Sequence, residues 1–363
     1  MSFKRLAIIL TICLVSFGLL ISPAMAKKKP SLEAWKPKFD PSTAKYKCIV
    51  SNVSHPVLKG VYTGFAIRDE LWKRTNGQIY IDYKPFSMLG GEVEVLNQLQ
   101  MGAIQGMGVS SVAATNLGPR FGLINLPFLV NSFDKLDKFI ASGQLFEHYM
   151  MAMDHQGIIG LDITGYGNYG WGTTKPVKSI ADAKKLKFRV AEAAVNQLNY
   201  KQWGINAVVM PWPDVPVSLK QGVIDGLDHT PMVCNITKKF EVCKYYTYLD
   251  YAQGLFIWIF NKKWYESLPA DLQKTFAEVV HDVCASIRKE VVIQEAVQIM
   301  KASKNGIEFY TLPAEEMELL KKQGHAAHVK YADEINKVYD GDKYKPKNFL
   351  KEVQDYMEYV APK

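Results

Sequence analysis

Short apolar runs alternate along this chain with stretches of helical spacing, and that alternation predicts most of the elements. Cys48 to Val50 is a short apolar strand. After the turn-like Ser54-His55-Pro56, the spacing predicts a helix from about Leu58 to Thr75, with Val61, Phe65 and Trp72 on one face. Asn76-Gly77 signals a turn, and Ile79, Ile81 and Tyr83 then alternate as a strand does. Gly90-Gly91 precedes a helix from about Glu92 to Met101, which Gly102 closes before the small-residue strand Ala103 to Val109. This order of strand, helix and strand predicts an α/β domain with a largely parallel sheet.

The pattern then repeats. Ile158 to Thr164 reads as a strand running into a glycine-rich segment, and Leu186 to Val190, Ala207 to Met210 and Val223 to Ile224 read as further strands. Helices at about Ala194 to Trp203 and Val215 to Gln221 separate them, which predicts a second α/β domain. Ser267-Leu268-Pro269-Ala270-Asp271 reads as a helix start with Ser267 as the cap. From there apolar residues keep helical spacing to Lys304-Asn305-Gly306, a single helix of roughly 35 residues that would cross both domains. Helices from Ala314 to Gly324 and from about Ala326 to Tyr339, then a polar tail, complete the chain.

The N-terminus changes the picture from fold to destination. Lys4 and Arg5 precede an uncharged apolar run from Leu6 to Ile21, and Ala24-Met25-Ala26 supplies an A-x-A site. That is the pattern of a secretory signal peptide over 1–26, cleaved after Ala26, with a periplasmic mature protein. The 16-residue run is shorter than the ~18 expected of a spanning helix. Cys13 lacks the small residues that would precede a lipoprotein cleavage site. Residues 27–44 are rich in Lys and Pro and read as an extended lead-in.

Cleavage removes two basic and no acidic residues, so the formal charge of +8 becomes +6 over the remaining 337 residues. A positive balance suits anionic partners, and export excludes nucleic acid as the expected one. Four cysteines remain, Cys48, Cys234, Cys243 and Cys284, in no zinc-binding pattern. Cys234 and Cys243 either bridge across a turn or stay as buried thiols.

Chemistry is sparse. Gly165-Tyr166-Gly167-Asn168-Tyr169-Gly170 matches the dinucleotide fingerprint literally, but Trp171-Gly172-Thr173-Thr174-Lys175-Pro176 follows where a helix must open. The glycines instead read as a flexible crossing between domains. No H-E-x-x-H, G-x-S-x-G or G-x-x-x-x-G-K occurs, so no catalytic residue, cofactor or metal is expected. His325 and His328 lie in a lysine-rich region and read as surface residues. Arg189 stands inside an apolar strand, where a charge needs a partner. The partner is either a structural carboxylate or the carboxylate of a ligand, for which the guanidinium fork is suited.

Lys175-Pro176-Val177, Ser179-Ile180, Asp182 and Leu186-Lys187-Phe188-Arg189-Val190 resemble the block ending in L-K-x-R of one family, the extracytoplasmic solute-binding receptors of TRAP (tripartite ATP-independent periplasmic) transporters. Met210-Pro211-Trp212 and Leu219-Lys220-Gln221-Gly222-Val223-Ile224-Asp225-Gly226 resemble its Q-x-G-x-V-D-G block. Thr75-Asn76-Gly77, Leu89-Gly90-Gly91-Glu92, Leu99-Gln100, Gly102, Leu126-Pro127-Phe128 and Lys263-Trp264 to Leu268-Pro269 fit further signatures, in order, from about Tyr46 to Tyr339.

The resemblance implies a two-domain α/β periplasmic binding fold with a ligand cleft between the domains and a long domain-spanning helix. Domain I is expected over 45–166 plus about 255–294, and domain II over 167–254 plus about 295–363. It further implies a monomeric receptor, not an enzyme, that delivers a small organic anion to a membrane permease. A ligand-sensing module for a membrane kinase and a periplasmic enzyme are the alternatives. Arg189 takes the position of the family arginine that pairs with the ligand carboxylate. Tyr169 falls where many members carry a second arginine, and Asp228 and His229 stand where many have asparagine. These departures point to a monocarboxylate, aromatic or keto, with Tyr169 and His229 donating hydrogen bonds. Trp212 is either an aromatic wall of the site or a core residue. His55, Phe86, Ser110 and Ser111 are expected to line the first-domain side.

Overall fold

The computed structural model describes residues 32–362, so the signal-peptide segment lies outside the described residues. The chain divides into two compact units, Met1–Lys38 and Phe39–Lys363. In the first, the described residues form a 3-10 turn at Glu33–Trp35, and in the second another occupies Pro41–Thr43, so the lead-in is turned where an extended run was expected.

Nine strands form one sheet: β1 Tyr46–Ser51, β2 Ile79–Lys84, β3 Gly106–Ser110, β4 Ile158–Thr173, β5 Lys187–Val190, β6 Asn206–Val209, β7 Gly226–His229, β8 Tyr245–Asn261 and β9 Glu308–Thr311. Their order is β2-β1-β3-β8-β4-β7-β5-β6, with β9 pairing β8 at its side. The pairs β1/β2, β1/β3, β5/β6, β5/β7 and β8/β9 are parallel. The pairs β3/β8, β4/β8 and β4/β7 are antiparallel, so the outer strands carry the parallel character and the centre does not. β4 and β8 are 16 and 17 residues long and pair from Ile158↔Asn261 to Thr173↔Tyr245. The pattern along the sequence marks no strand at β8 and places one at Val223-Ile224, where the chain instead bends before β7 begins at Gly226.

The glycine-rich segment is strand, interrupted by register shifts between Gly165, Asn168 and Gly170, and not a loose crossing. Its glycines make room. A Cβ at Gly170 would lie 2.5 Å from the Thr247 carbonyl oxygen, and one at Gly165 would meet the Phe133 ring at 2.5 Å.

The long helix forms as expected, Ala270–Lys304, 35 residues. Its N-cap is Pro269, whereas the Ser267 hydroxyl donates to the Trp264 carbonyl and caps nothing. Arg288 on this helix donates to buried Asp162 of β4 at 3.0 Å, and His281 meets the same carboxylate at 2.6 Å. Further along, Glu295 accepts the Asn168 backbone N–H at 2.8 Å, so the helix is pinned to β4 at both levels. The two C-terminal helices expected around Gly324 are one, Ala314–Asn336. Gly324 does not break it; a Cβ there would sit 2.9 Å from Pro127. His328 is buried with Nε2 2.8 Å from the Pro127 carbonyl oxygen, not on the surface, and the expected polar tail contains a helix at Phe349–Tyr356. Cys234 and Cys243 are free thiols buried in one small apolar core with Val215, Leu227 and Tyr246. None of the described helices is long and apolar enough to cross a membrane.

Candidate functional site

A partly open cavity lies against the crossing of β4 and β8, where strand ends and turns from both halves of the sheet converge. Arg189 enters it from β5. The strand is held by β6 and β7 through Arg189↔Val208 and Arg189↔Leu227, which fixes the backbone beneath the guanidinium. The side chain is buried, and its Nε and Nη2 both donate to the Met210 carbonyl oxygen, at 3.1 and 3.0 Å. Five N–H groups minus these two leaves three, two of them along the Nη1–Nη2 edge. No ion pair joins Arg189 to a carboxylate among the described residues. Burial pushes its pKa down and the nearby Glu92 pulls the other way.

β7 ends in His229, whose Nδ1 accepts the backbone N–H of Thr230 at 2.9 Å. An accepting Nδ1 leaves the ring proton on Nε2. Burial, then Arg189 and Lys239, hold the His229 pKa well below the usual imidazole value, so the ring is a neutral Nε2–H donor. Tyr169 sits where the β4 register shifts, and its hydroxyl is 2.8 Å from that of Tyr166. Burial raises both phenols, so they too are neutral.

Trp212 opens a 3-10 turn after Pro211 and forms a wall. Its ring lies 4.8 Å from the His229 ring and 5.6 Å from the Arg189 guanidinium carbon, a cation–π distance. On the opposite side of the cavity Ser110 caps the short helix Ser111–Ala114, accepting the Ala113 N–H. Glu92 accepts both the backbone N–H and the hydroxyl of Ser110, at 2.7 and 2.9 Å, and burial raises its pKa while these bonds lower it.

Of the residues expected at the site, Arg189, Tyr169, Trp212, His229 and Ser110 line this cavity. His55 and Phe86 line a more open outer groove that shares Val53, Ser54 and Trp212 with it. Their rings meet edge to face at 4.7 Å, and Phe86 and Ser87 both adopt positive φ, 64° and 54°, which aims this corner into the groove. Asp228 and Ser111 line neither space. Asp228 lies behind the wall, accepting from Tyr251 at 2.7 Å and Asn196 at 3.1 Å, and burial raises its pKa to about 6. The Ser111 hydroxyl is turned into the core against Asn125 at 2.8 Å.

Glu92, Tyr166 and Phe256 line the cavity without having been singled out. Glu92 had a signal, since it closes the Leu89-Gly90-Gly91-Glu92 block, but an acid in a helix's first turn has a sufficient reason in the helix dipole. The site thus offers one free guanidinium edge, several neutral donors, the Glu92 carboxyl and an aromatic wall, an arrangement that can hold a small carboxylate.

The sequence profile described as bacterial extracellular solute-binding protein, family 7, matches residues 50–334. The C4-dicarboxylate-binding periplasmic protein DctP of Rhodobacter capsulatus is 30% identical over 67% of this chain and 74% of its own. The 2,3-diketo-L-gulonate-binding periplasmic protein YiaO of Escherichia coli is 24% identical over 82% of this chain and 87% of its own. Among solved structures, a TRAP periplasmic solute-binding protein from Desulfovibrio salexigens with bound orotic acid has a TM-score of 0.79 at 19% identity, covering 86% of this chain and 99% of that one.

Proposed function

The chain belongs to the bacterial extracellular solute-binding proteins of family 7, the TRAP-transporter receptors, and on that premise we propose that it captures a small monocarboxylate, aromatic or keto, in the periplasm and delivers it to the membrane permease. The observation that carries this reading is the buried Arg189, hydrogen-bonded among the described residues only to the Met210 carbonyl and presenting its remaining N–H edge to the cavity. A buried cation without a counter-ion is costly, and an arriving carboxylate supplies both the charge and the paired acceptors.

One guanidinium facing neutral donors favours one carboxylate over two. Tyr169 and His229 are neutral, and Glu92 adds an acceptor that would repel a second anionic group inside the cavity. The apolar and aromatic lining of Val112, Tyr166, Trp212 and Phe256 suits a planar or apolar body behind the carboxylate. A relative that binds a diketo acid and a structural neighbour holding orotic acid support that class; the dicarboxylate receptors among the relatives are the competing choice.

Closure is proposed to bring together domain I, 45–166 plus about 255–294, and domain II, 167–254 plus about 295–363, around the bound acid. The receptor acts as a monomer after cleavage at Ala26, and the permease reads the closed form. The test is a thermal-shift screen of the mature protein against organic acids, repeated in Arg189→Ala. A cognate acid raises the melting temperature of the wild type by mass action and leaves that of the variant unmoved; an equal rise in both would refute the assignment.

A further inference from the structure

The outer groove contains a charge that the carboxylate site does not use. Lys239 follows Lys238, whose φ of 62° turns the chain back after the helix Pro231–Ile236, and the side chain of Lys239 is folded inward so that the residue is only 5% exposed. Its ammonium donates to the Thr237 carbonyl at 3.3 Å and forms no ion pair among the described residues. A lysine carries three donors, and two are left over in a place where unmet donors are costly. Burial lowers its pKa to about 8, which keeps it mostly protonated at neutral pH.

Trp212 divides the two spaces. It lines both, with Arg189 on the inner cavity and Lys239 on the outer groove. The ammonium lies 4.3 Å from the indole centroid and the guanidinium carbon 5.6 Å. Two cations therefore flank one aromatic ring, and a ligand lying along that ring can reach both. The groove beyond the ring is walled by His55, Phe86 and Pro216, groups that offer apolar contact and no second positive charge as deeply set as Lys239.

We propose that Lys239 is the second polar anchor of the cargo, donating to an oxygen acceptor at the end of the acid remote from its carboxylate. The class is thereby narrowed to monocarboxylates with a distal carbonyl or phenolic oxygen. The inference rests on the reading of Arg189 as the carboxylate clamp.

Matched acids separate the two. Titration calorimetry of the mature protein with phenylacetate against 4-hydroxyphenylacetate, and with pentanoate against 4-oxopentanoate, gives a preference ratio for the distal oxygen within each pair. At least one pair should favour the oxygenated acid by about tenfold, the usual strength of a charged hydrogen bond. Lys239→Met and Lys239→Gln, each checked for an intact melting transition, should reduce that ratio to below about threefold. If Lys239 merely props the indole, both members of a pair weaken in parallel and the ratio stays, which overturns the proposal. So does a wild type with no preference in either pair, including no binding of either. Failure of the clamp reading looks different: Arg189→Ala would then bind both members as the wild type does.

Discussion

The carbonyl oxygen of Met210 accepts two hydrogen bonds from Arg189, from Nε at 3.1 Å and Nη2 at 3.0 Å. Met210 in turn donates its own N–H to Val190 at 3.3 Å, so the acceptor is fixed to the strand that carries the arginine. The guanidinium is thus oriented by backbone before any ligand arrives, and its outward edge is the part left to recognise one. Lysine keeps the charge but has no planar fork. Arg189→Lys is therefore expected to lose most of the carboxylate affinity, on the order of 100-fold by calorimetry, and a near wild-type affinity would show that charge alone suffices.

His229 is expected to act as a fixed donor and not as a titrating group. With Nδ1 accepting from Thr230, a long-range proton–nitrogen spectrum should show the Nε2–H tautomer unchanged from pH 5 to 8. His229→Leu should weaken binding by about tenfold, the scale of one buried hydrogen bond to a charged acceptor. A protonation step of His229 within that range would contradict the assignment.

Asp228 links stability to pH. Its folded pKa of about 6 lies above the ordinary carboxyl value of 3.8, with burial the chief cause. The folded state therefore holds the proton more tightly, and the contribution of this group is fully present below the unfolded pKa and lost as pH rises through about 6. The loss is on the order of 2–3 kcal/mol. Melting temperatures of wild type and Asp228→Asn compared from pH 4 to 7 should diverge with the wild type falling behind as pH rises; a constant difference would show that Asp228 does not titrate there.

The parallel outer strands, the 35-residue helix and Arg189 were all legible in the sequence, because each follows from local periodicity or from a charge set in an apolar strand. β8 was not. Its residues from Tyr251 to Phe260 are buried on both faces, so no alternation marks them as a strand. The glycines from Gly165 to Gly172 suggested looseness, yet they permit close approach inside a continuous strand, a property of neighbours distant in sequence. For the same reason Ser111 and Asp228 could not be told from cavity residues: each is one position from a residue that lines it, and strand or helix direction decides which side chain faces in. Lys239 was hidden because nothing local distinguishes it from the solvated Lys238 beside it.

Packing at the crossing yields a test of its own. Gly60 lies in the helix Lys59–Arg74, and a Cβ there would come 2.3 Å from the Gly165 carbonyl oxygen, a backbone atom of β4 that cannot rotate away. Gly60→Ala should lower the unfolding free energy in urea by roughly 1–3 kcal/mol, although alanine is the better helix former. An unchanged or raised stability would mean that helix and strand are free to move apart.

The cysteines should be silent in the native state. Cys48, Cys234, Cys243 and Cys284 are all buried, and burial raises each thiol's pKa. A thiol reagent should label none of the four in the folded mature protein and all four after unfolding without reductant. Only two labelled after unfolding would reveal a Cys234–Cys243 bridge.

The most direct measurement is the affinity of the mature wild type and Arg189→Ala for a series of aromatic and keto monocarboxylates and their dicarboxylate counterparts, by titration calorimetry at one salt concentration. The account predicts that the tightest ligand of the wild type is a monocarboxylate and that Arg189→Ala binds it at least 100-fold more weakly, the scale expected when one member of a buried charge pair is removed. Undiminished binding by the variant, or a dicarboxylate that outbinds every monocarboxylate, would contradict it.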